Sequence, residues 1–371
     1  MDAQKTSGGQ PPAETPPSDE PASVLRATWL GALWRYPRTA RGWLVVPGAL
    51  ALFALLPAIY DQLFGFSSGF ELHRVTLIGI FVLAAMAQNV LTGYAAQPSL
   101  GNAAFFGVGG YMLAWLTNDL NQPYWVGIAV AMLVSAVLGV IVGGPALRIS
   151  GAYLAIATLG LVFLTGSLLN LWDTTAGRQS YDLNTLPMFL TDDHALYFTV
   201  LAIVSIVLFA MYHLLRSRVG RAWIAIRDSE SAAAAFGVYV TRYKLLAFVV
   251  SAVLTGLSGA LYATWASTAT SSMSSPDQTI AFLTMIVIGG LGSIAGSVLG
   301  AVFVGFLPLL LGQLPSPLIL GPVQIQISTL TTGVYGLLLL LALIFFPAGF
   351  SSLIERGRTM GRQLVQRGGQ P

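Results

Sequence analysis

From Trp43 onward the chain runs in apolar stretches of about 20 residues, long enough to cross a bilayer as a helix. Nearly every charge falls in the segments between them. Spans are predicted at 43–61, 75–92, 100–117, 124–146, 152–171, 197–215, 245–266, 279–292, 296–313 and 328–347. The predicted fold class is therefore an all-α integral membrane protein, a polytopic bundle of about ten transmembrane helices. Composition agrees: 9% of residues are charged and mean hydropathy is +0.73, where a soluble domain carries about 25% charged residues. Two stretches are less regular. Residues 279–292 are short for a span, and the G-G-L-G-S-I-A-G join at 289–296 reads either as a tight turn or as a re-entrant break lining a cavity.

The basic residues orient the bundle. Counting alternate loops, sixteen of the eighteen Lys and Arg lie on one side, and only Arg74 and Arg178 on the other. Cytoplasmic loops carry the excess of positive charge, so both termini are expected in the cytoplasm and the number of spans is even. The first apolar run follows a long polar segment, unlike the short apolar region of a cleaved signal peptide, so it is expected to persist in the mature protein.

Three regions follow. Residues 1–42 form an N-terminal extension on the cytoplasmic side. Its first 24 residues are rich in Pro, Gly, Ser and Glu and are expected to be disordered. Residues 25–42 interleave Trp29, Leu30, Leu33 and Trp34 with four arginines, a pattern that suits either the lipid headgroup layer or a solvated lead-in. Residues 43–347 are the transmembrane domain, and 348–371 a basic tail. On the outer side lies the polar loop 172–196, with smaller loops near 267–278 and 314–327. These are either a docking surface for an extracytoplasmic partner or plain connections.

Residues 216–244 hold six of the eighteen basic residues around an Ala-rich centre and lie between two spans. A short basic helix tethered at both ends suits gripping a partner, and nothing in it supports chemistry. The chain has no cysteine, which excludes disulfides and thiolate sites. His73, His194 and His213 lie far apart at span ends, without helical metal-site spacing. The G-x-S-x-G match around Ser67 lacks the strand-turn-helix setting of a nucleophile elbow. The G-x-G-x-x-A match at Gly290, Gly292 and Ala295 lacks a βαβ unit. The only lysines are Lys5 and Lys244, and no P-loop motif occurs, so any ATP hydrolysis belongs to another polypeptide. No catalytic residue, metal site, cofactor or nucleic-acid partner is expected.

Ionisable residues are essentially missing from the predicted spans, which weighs against a proton-coupled carrier. Neutral polar residues at span depth include Gln88, Asn89, Asn102, Thr158, Thr255 and Thr284. Gln88, Asn89, Ser99, Asn102, Phe106 and Thr158 are the candidate lining of a path for a small zwitterion. Hydrogen bonding between helices explains each polar one equally well. Gly292, Gly296 and Gly300 recur at four-residue spacing, which favours close helix packing over a ligand role.

Five ordered segments then resemble one family. G-Y-A-A-Q-P-S-L-G-N-A-A-F-F-G-V-G-G-Y (93–111), R-I-S-G-A-Y-L-A-I-A-T-L-G (148–160), G-R-A-W-I-A-I-R-D-S-E-S-A-A-A-A-F-G-V-Y-V-T-R-Y-K-L-L-A-F (220–248), T-G-L-S-G-A-L-Y-A (255–263) and G-G-L-G-S-I-A-G (289–296) are similar to branched-chain amino-acid ABC importer permeases of the LivM type. The resemblance implies an inner-membrane permease subunit working with a second permease subunit (LivH-like), two P-loop ATPase subunits and an extracytoplasmic substrate-binding protein. It implies ATPase coupling through Arg221, Arg227, Glu230, Ala232, Ala233 and Gly237. Two departures leave the substrate open: Asn102 stands where the family usually has His, and Trp172-Asp173 is followed by T-T-A-G-R-Q-S-Y-D-L rather than a T-G-G-x-x-G-like stretch. Related permeases carry urea, short amides or other amino acids. The alternative to an ABC permease is a stand-alone facilitator or ion-coupled carrier.

Overall fold

In this computed structural model the described residues are 70–149, 151–183, 186–187, 190–311, 318–320, 323–325, 333–334, 336–337 and 340–341. The expected span at 43–61, most of that at 328–347, the N-terminal extension, the C-terminal tail and the Ser67 motif lie outside them.

The chain is helical as expected. The helices are α1 (Phe70–Gln88), continued by a π-helical turn (Asn89–Tyr94), α2 (Asn102–Asn118), α3 (Tyr124–Ala146), α4 (Ala152–Thr175), α5 (Asp193–Arg216), α6 (Arg218–Asp228), α7 (Glu230–Ala235), α8 (Val240–Ala266), α9 (Pro276–Gly289) and α10 (Ile294–Leu311). Five stretches among the described residues are long and apolar enough to cross a membrane: Leu72–Tyr94, Tyr124–Ala146, Ala152–Thr175, Asp193–Arg216 and Val240–Ala266.

Helix α8 is the hub, packed against α1, α2 and α3. Apolar side chains gain nothing by leaving lipid for protein, so such a hub is built by close backbone approach and hydrogen bonds. Both are present. A β-carbon on Gly259 would overlap the backbone of Phe106, and one on Gly109 would overlap that of Gly256. Ser251 Oγ and Ser258 Oγ each donate at 2.8 Å to α1 carbonyls, those of Ala87 and Ile80. At the periphery the polarity is reversed relative to a soluble protein. Leu133, Val137 and Ile141 of α3, Ile156, Phe163 and Leu168 of α4, and Phe198 and Ile206 of α5 are exposed.

The two ends of the bundle differ. One end, the basic face, carries α6, α7 and the α9–α10 turn. At the other, His73 stacks on Trp265 with centroids 4.7 Å apart and pairs with Asp193 at 3.0 Å, tying the ends of α1, α8 and α5 together. There the 172–196 loop is not purely irregular: Tyr181–Asp182 (β1) pairs antiparallel with Thr268–Ala269 (β2). A second short antiparallel pair joins Leu318–Leu320 (β3) to Val323–Ile325 (β4). These strands satisfy backbone groups that no helix supplies.

The expected shortness of 279–292 recurs in the structure, whereas the expected outer loop at 267–278 changes. Helix α2 is only 17 residues and α9 only 14, about 26 and 21 Å long. Each begins inside the bundle, because the segments before them turn back into it. Asn102, at the start of α2, bonds to Ser251, eleven residues into α8. The 267–278 stretch, expected as an outer loop, buries Met273 and Ser274, and Ser274 Oγ donates to Val162 O of α4 at 3.2 Å. Irregular backbone at such depth survives only where protein or a water-filled cavity surrounds it.

Candidate functional site: a mounted helix pair and a polar interior

On the basic face the 216–244 segment is mostly helix. Ser217 leaves the α5 geometry with extended backbone, and its Oγ accepts from Val219 N, capping α6. Ser229 breaks the helix again and its Oγ accepts from Ala232 N, capping α7. Both residues suit this role because a serine oxygen satisfies an otherwise orphaned N–H. Gly237, at φ +79°, turns the chain back toward α8. This backbone conformation strains any residue with a β-carbon.

The pair is mounted firmly. Trp223 is fully buried and its Nε1 donates to Tyr243 O at 2.8 Å. Lys244 on α8 pairs with Glu230 on α7 at 2.5 Å. Ala233 is buried, whereas Arg221, Ala232 and Gly237 are exposed. Two residues that sequence reading missed stand out at the tip: Phe236 is 88% exposed and Tyr239 68%. The available signal was an aromatic pair at the end of an otherwise small and charged segment.

Arg227 is exposed as well but reaches across to the α9–α10 turn. Its guanidinium lies over Gly292, so close that a β-carbon there would overlap Nη1. Gly290 and Gly292 both take positive φ, 110° and 74°, and make the turn between α9 and α10. The 289–296 join is thus a tight turn between two packed helices. Gly289, Gly296 and Gly300 bring those helices backbone to backbone, so packing accounts for Gly296 and Gly300. Asn89, in the π-turn that continues α1, holds the turn. Its Oδ1 accepts from Gly292 N at 2.8 Å, and its Nδ2 donates to Ser293 O at 3.0 Å and Ser297 Oγ at 2.7 Å. π-Turns inside helices frequently mark functional positions.

The six candidate path residues are all buried. Four are joined around the 95–101 segment. Gln88 Nε2 donates to Ser99 O at 2.7 Å, Thr158 Oγ1 accepts from Leu100 N at 2.9 Å, and Asn102 Nδ2 donates to Ser251 Oγ at 3.1 Å. Asn89 belongs to the α9–α10 turn instead. Phe106 sits among aromatics, 5.1 Å from Tyr262 and 5.3 Å from Phe282, centroid to centroid. Thr279 Oγ1 donates to Leu100 O at 3.2 Å, bringing α9 to the same segment.

At the opposite end Asp173 is not a loop residue. It lies in the last turn of α4, is buried, accepts from Tyr111 Oη, and lies 3.6 Å from Arg178 Nε. Arg178 stacks on Tyr181 at 3.5 Å. Among the described residues no group of His, Cys, Asp and Glu could hold a metal ion.

A multi-pass helical bundle with a firmly mounted helix pair at one end and a neutral polar interior is the build of a membrane permease. Residues 72–344 match the family model described as the permease component of branched-chain amino acid transport systems, and the chain belongs to that family. It is 31% identical over 292 residues to the high-affinity branched-chain amino acid transport permease LivM of Salmonella typhimurium, covering 68% of this chain and 66% of the relative. The corresponding LivM protein of Escherichia coli is 30% identical over 61% of this chain and 60% of its own length. The match thus spans less than two thirds of either relative. A fructose import permease, FruG, of Bifidobacterium longum is 26% identical over 68% of this chain and 78% of its own length. No solved structure matches the chain.

Proposed function

We propose that this chain is a permease subunit of an ABC importer for branched-chain amino acids or related small polar solutes, with its basic face in the cytoplasm. The observation that carries the coupling part is the tip of the α6–α7 pair. Phe236 and Tyr239 project from a mount fixed by Trp223 and Lys244. Buried aromatic anchors dominate protein interfaces, and a rigidly presented aromatic loses little entropy on docking. The partner is a P-loop ATPase subunit, since the chain has no P-loop of its own. Arg221, Glu230, Ala232, Ala233 and Gly237 form or support that docking surface. Arg227 passes its motion inward, through Gly292 and Asn89, to α1 and the α9–α10 hairpin. Rigid elements joined by discrete contacts carry such motions.

A second permease subunit, LivH-like in the family pattern, covers exposed faces of this bundle. An extracytoplasmic substrate-binding protein delivers the solute to the opposite end. The substrate proposal rests on the LivM relatives and on the neutral polar interior; the FruG relative keeps sugars within the test set. The test is uptake into proteoliposomes. Wild-type chain with its partner subunits should take up L-leucine only when ATP is supplied on the ATPase side. Uptake by this chain alone, without ATPase subunits, would establish a stand-alone facilitator instead.

A further inference from the structure

We infer that Gln97 is a contact for the transported solute, held without a partner inside the chain so that it can hydrogen-bond a small neutral solute bearing both donors and acceptors. Gln97 is 3% exposed, and its Oε1 and Nε2 are both buried without a hydrogen-bond partner. It is the only residue among those described that carries two such atoms. Its neighbours set the contrast: Gln88, Asn102 and Thr158 are all partnered, and Ser99 Oγ accepts from Gly101 N. The main chain around Gln97 is pinned as well. Gln97 N donates to Leu91 O at 3.0 Å, and Ala96 before it takes φ 51°, a conformation strained for a residue with a β-carbon. A strained, pinned backbone presents one spare carboxamide.

Such a group is a liability to the fold alone. A buried amide without partners loses its water and gains nothing, so an apolar side chain of similar volume is neutral or better there. The same amide offers two donors and an acceptor to a ligand. The setting suits a path. The 95–101 segment is irregular backbone at depth, and α9 starts beside it through the Thr279–Leu100 bond. Next to Thr279, Gln278 Nε2 is also buried without a partner. The only charged residue among the buried ones described is Asp173, which is engaged with Tyr111 and Arg178. The chemistry selects overall neutral solutes, which an amino-acid zwitterion and a sugar both are.

The inference rests on the permease reading, and Gln97→Leu separates the two. Thermal melting of the purified full chain should show the variant as stable as wild type or more so. In the reconstituted importer, uptake of L-leucine or of D-fructose, whichever the wild type carries, should fall about tenfold, as expected for lost neutral hydrogen bonds, with the ATPase subunits still bound. The solute that responds tells an amino-acid path from a sugar path. A variant that melts well below wild type would mean that the carboxamide is bonded within the fold, and unchanged uptake would mean that no solute touches it; either result overturns the inference. Failure of the permease reading shows differently, in a wild-type importer that moves neither solute.

Discussion

The α6–α7 pair and the α2–α8 crossing hold themselves together by opposite means. The crossing is backbone on backbone: Gly109 against Gly256 and Gly259 against Phe106, with serines stitching α8 to α1. No β-carbon can be added at Gly109 or Gly259 without moving a helix. The pair is held by a few directional contacts, the Trp223 indole on Tyr243 O and the Lys244–Glu230 ion pair, while most of its surface stays open. The first arrangement suits a body that must move as one piece. The second suits a part that must take hold of something else, and Arg227 with Asn89 connects it to the α9–α10 turn and α1.

That contrast can be broken by substitution. Gly259→Val should do the most damage, because its side chain would collide with main chain rather than with a movable group. About 3 kcal/mol or more is expected, toward the upper end for overpacking, read as loss of folded protein in thermal melting. Asn89→Ala removes all three bonds to the α9–α10 turn. It should cost about 1–2 kcal/mol, since it leaves the part-buried Gly292 N–H without its acceptor while Ser293 O keeps its bonds from Ser297, and it should lower solute uptake per ATP hydrolysed. Trp223→Phe keeps the buried ring but loses the bond to Tyr243 O, a loss of about 1 kcal/mol. Its melting temperature should shift least of the three. If Trp223→Phe proved as damaging as Gly259→Val, the pair would be part of the core and the contrast would fail.

The same division governs what could be read in the amino-acid sequence. Spans such as 124–146 were legible to the residue because lipid leaves the backbone no alternative to a helix. The 216–244 segment was legible as a basic, Ala-rich helix between spans, but its division into two helices, capped by Ser217 and Ser229, was not. Depth was not legible. Residues 95–101 and 270–275 have the small, polar composition of surface loops, yet contacts between distant parts of the chain carry them into the bundle. Asp173 misled for the same reason, since its burial depends on Tyr111 and Arg178, which only the fold brings near it. Within the candidate path, which amide is spare depends on partners that spacing does not reveal. Gln97 stood inside the 93–111 segment without being singled out.

The most direct measurement is co-purification. The tagged full chain, extracted in mild detergent, is compared with a Phe236→Asp variant. Docking through the mounted tip predicts that P-loop ATPase subunits accompany the wild type and that the variant binds them about 30-fold more weakly or not at all, the scale of losing one buried aromatic anchor. The variant itself should melt like the wild type, because Phe236 touches little within the chain. ATPase subunits that bind the variant as tightly as the wild type would contradict coupling through this pair.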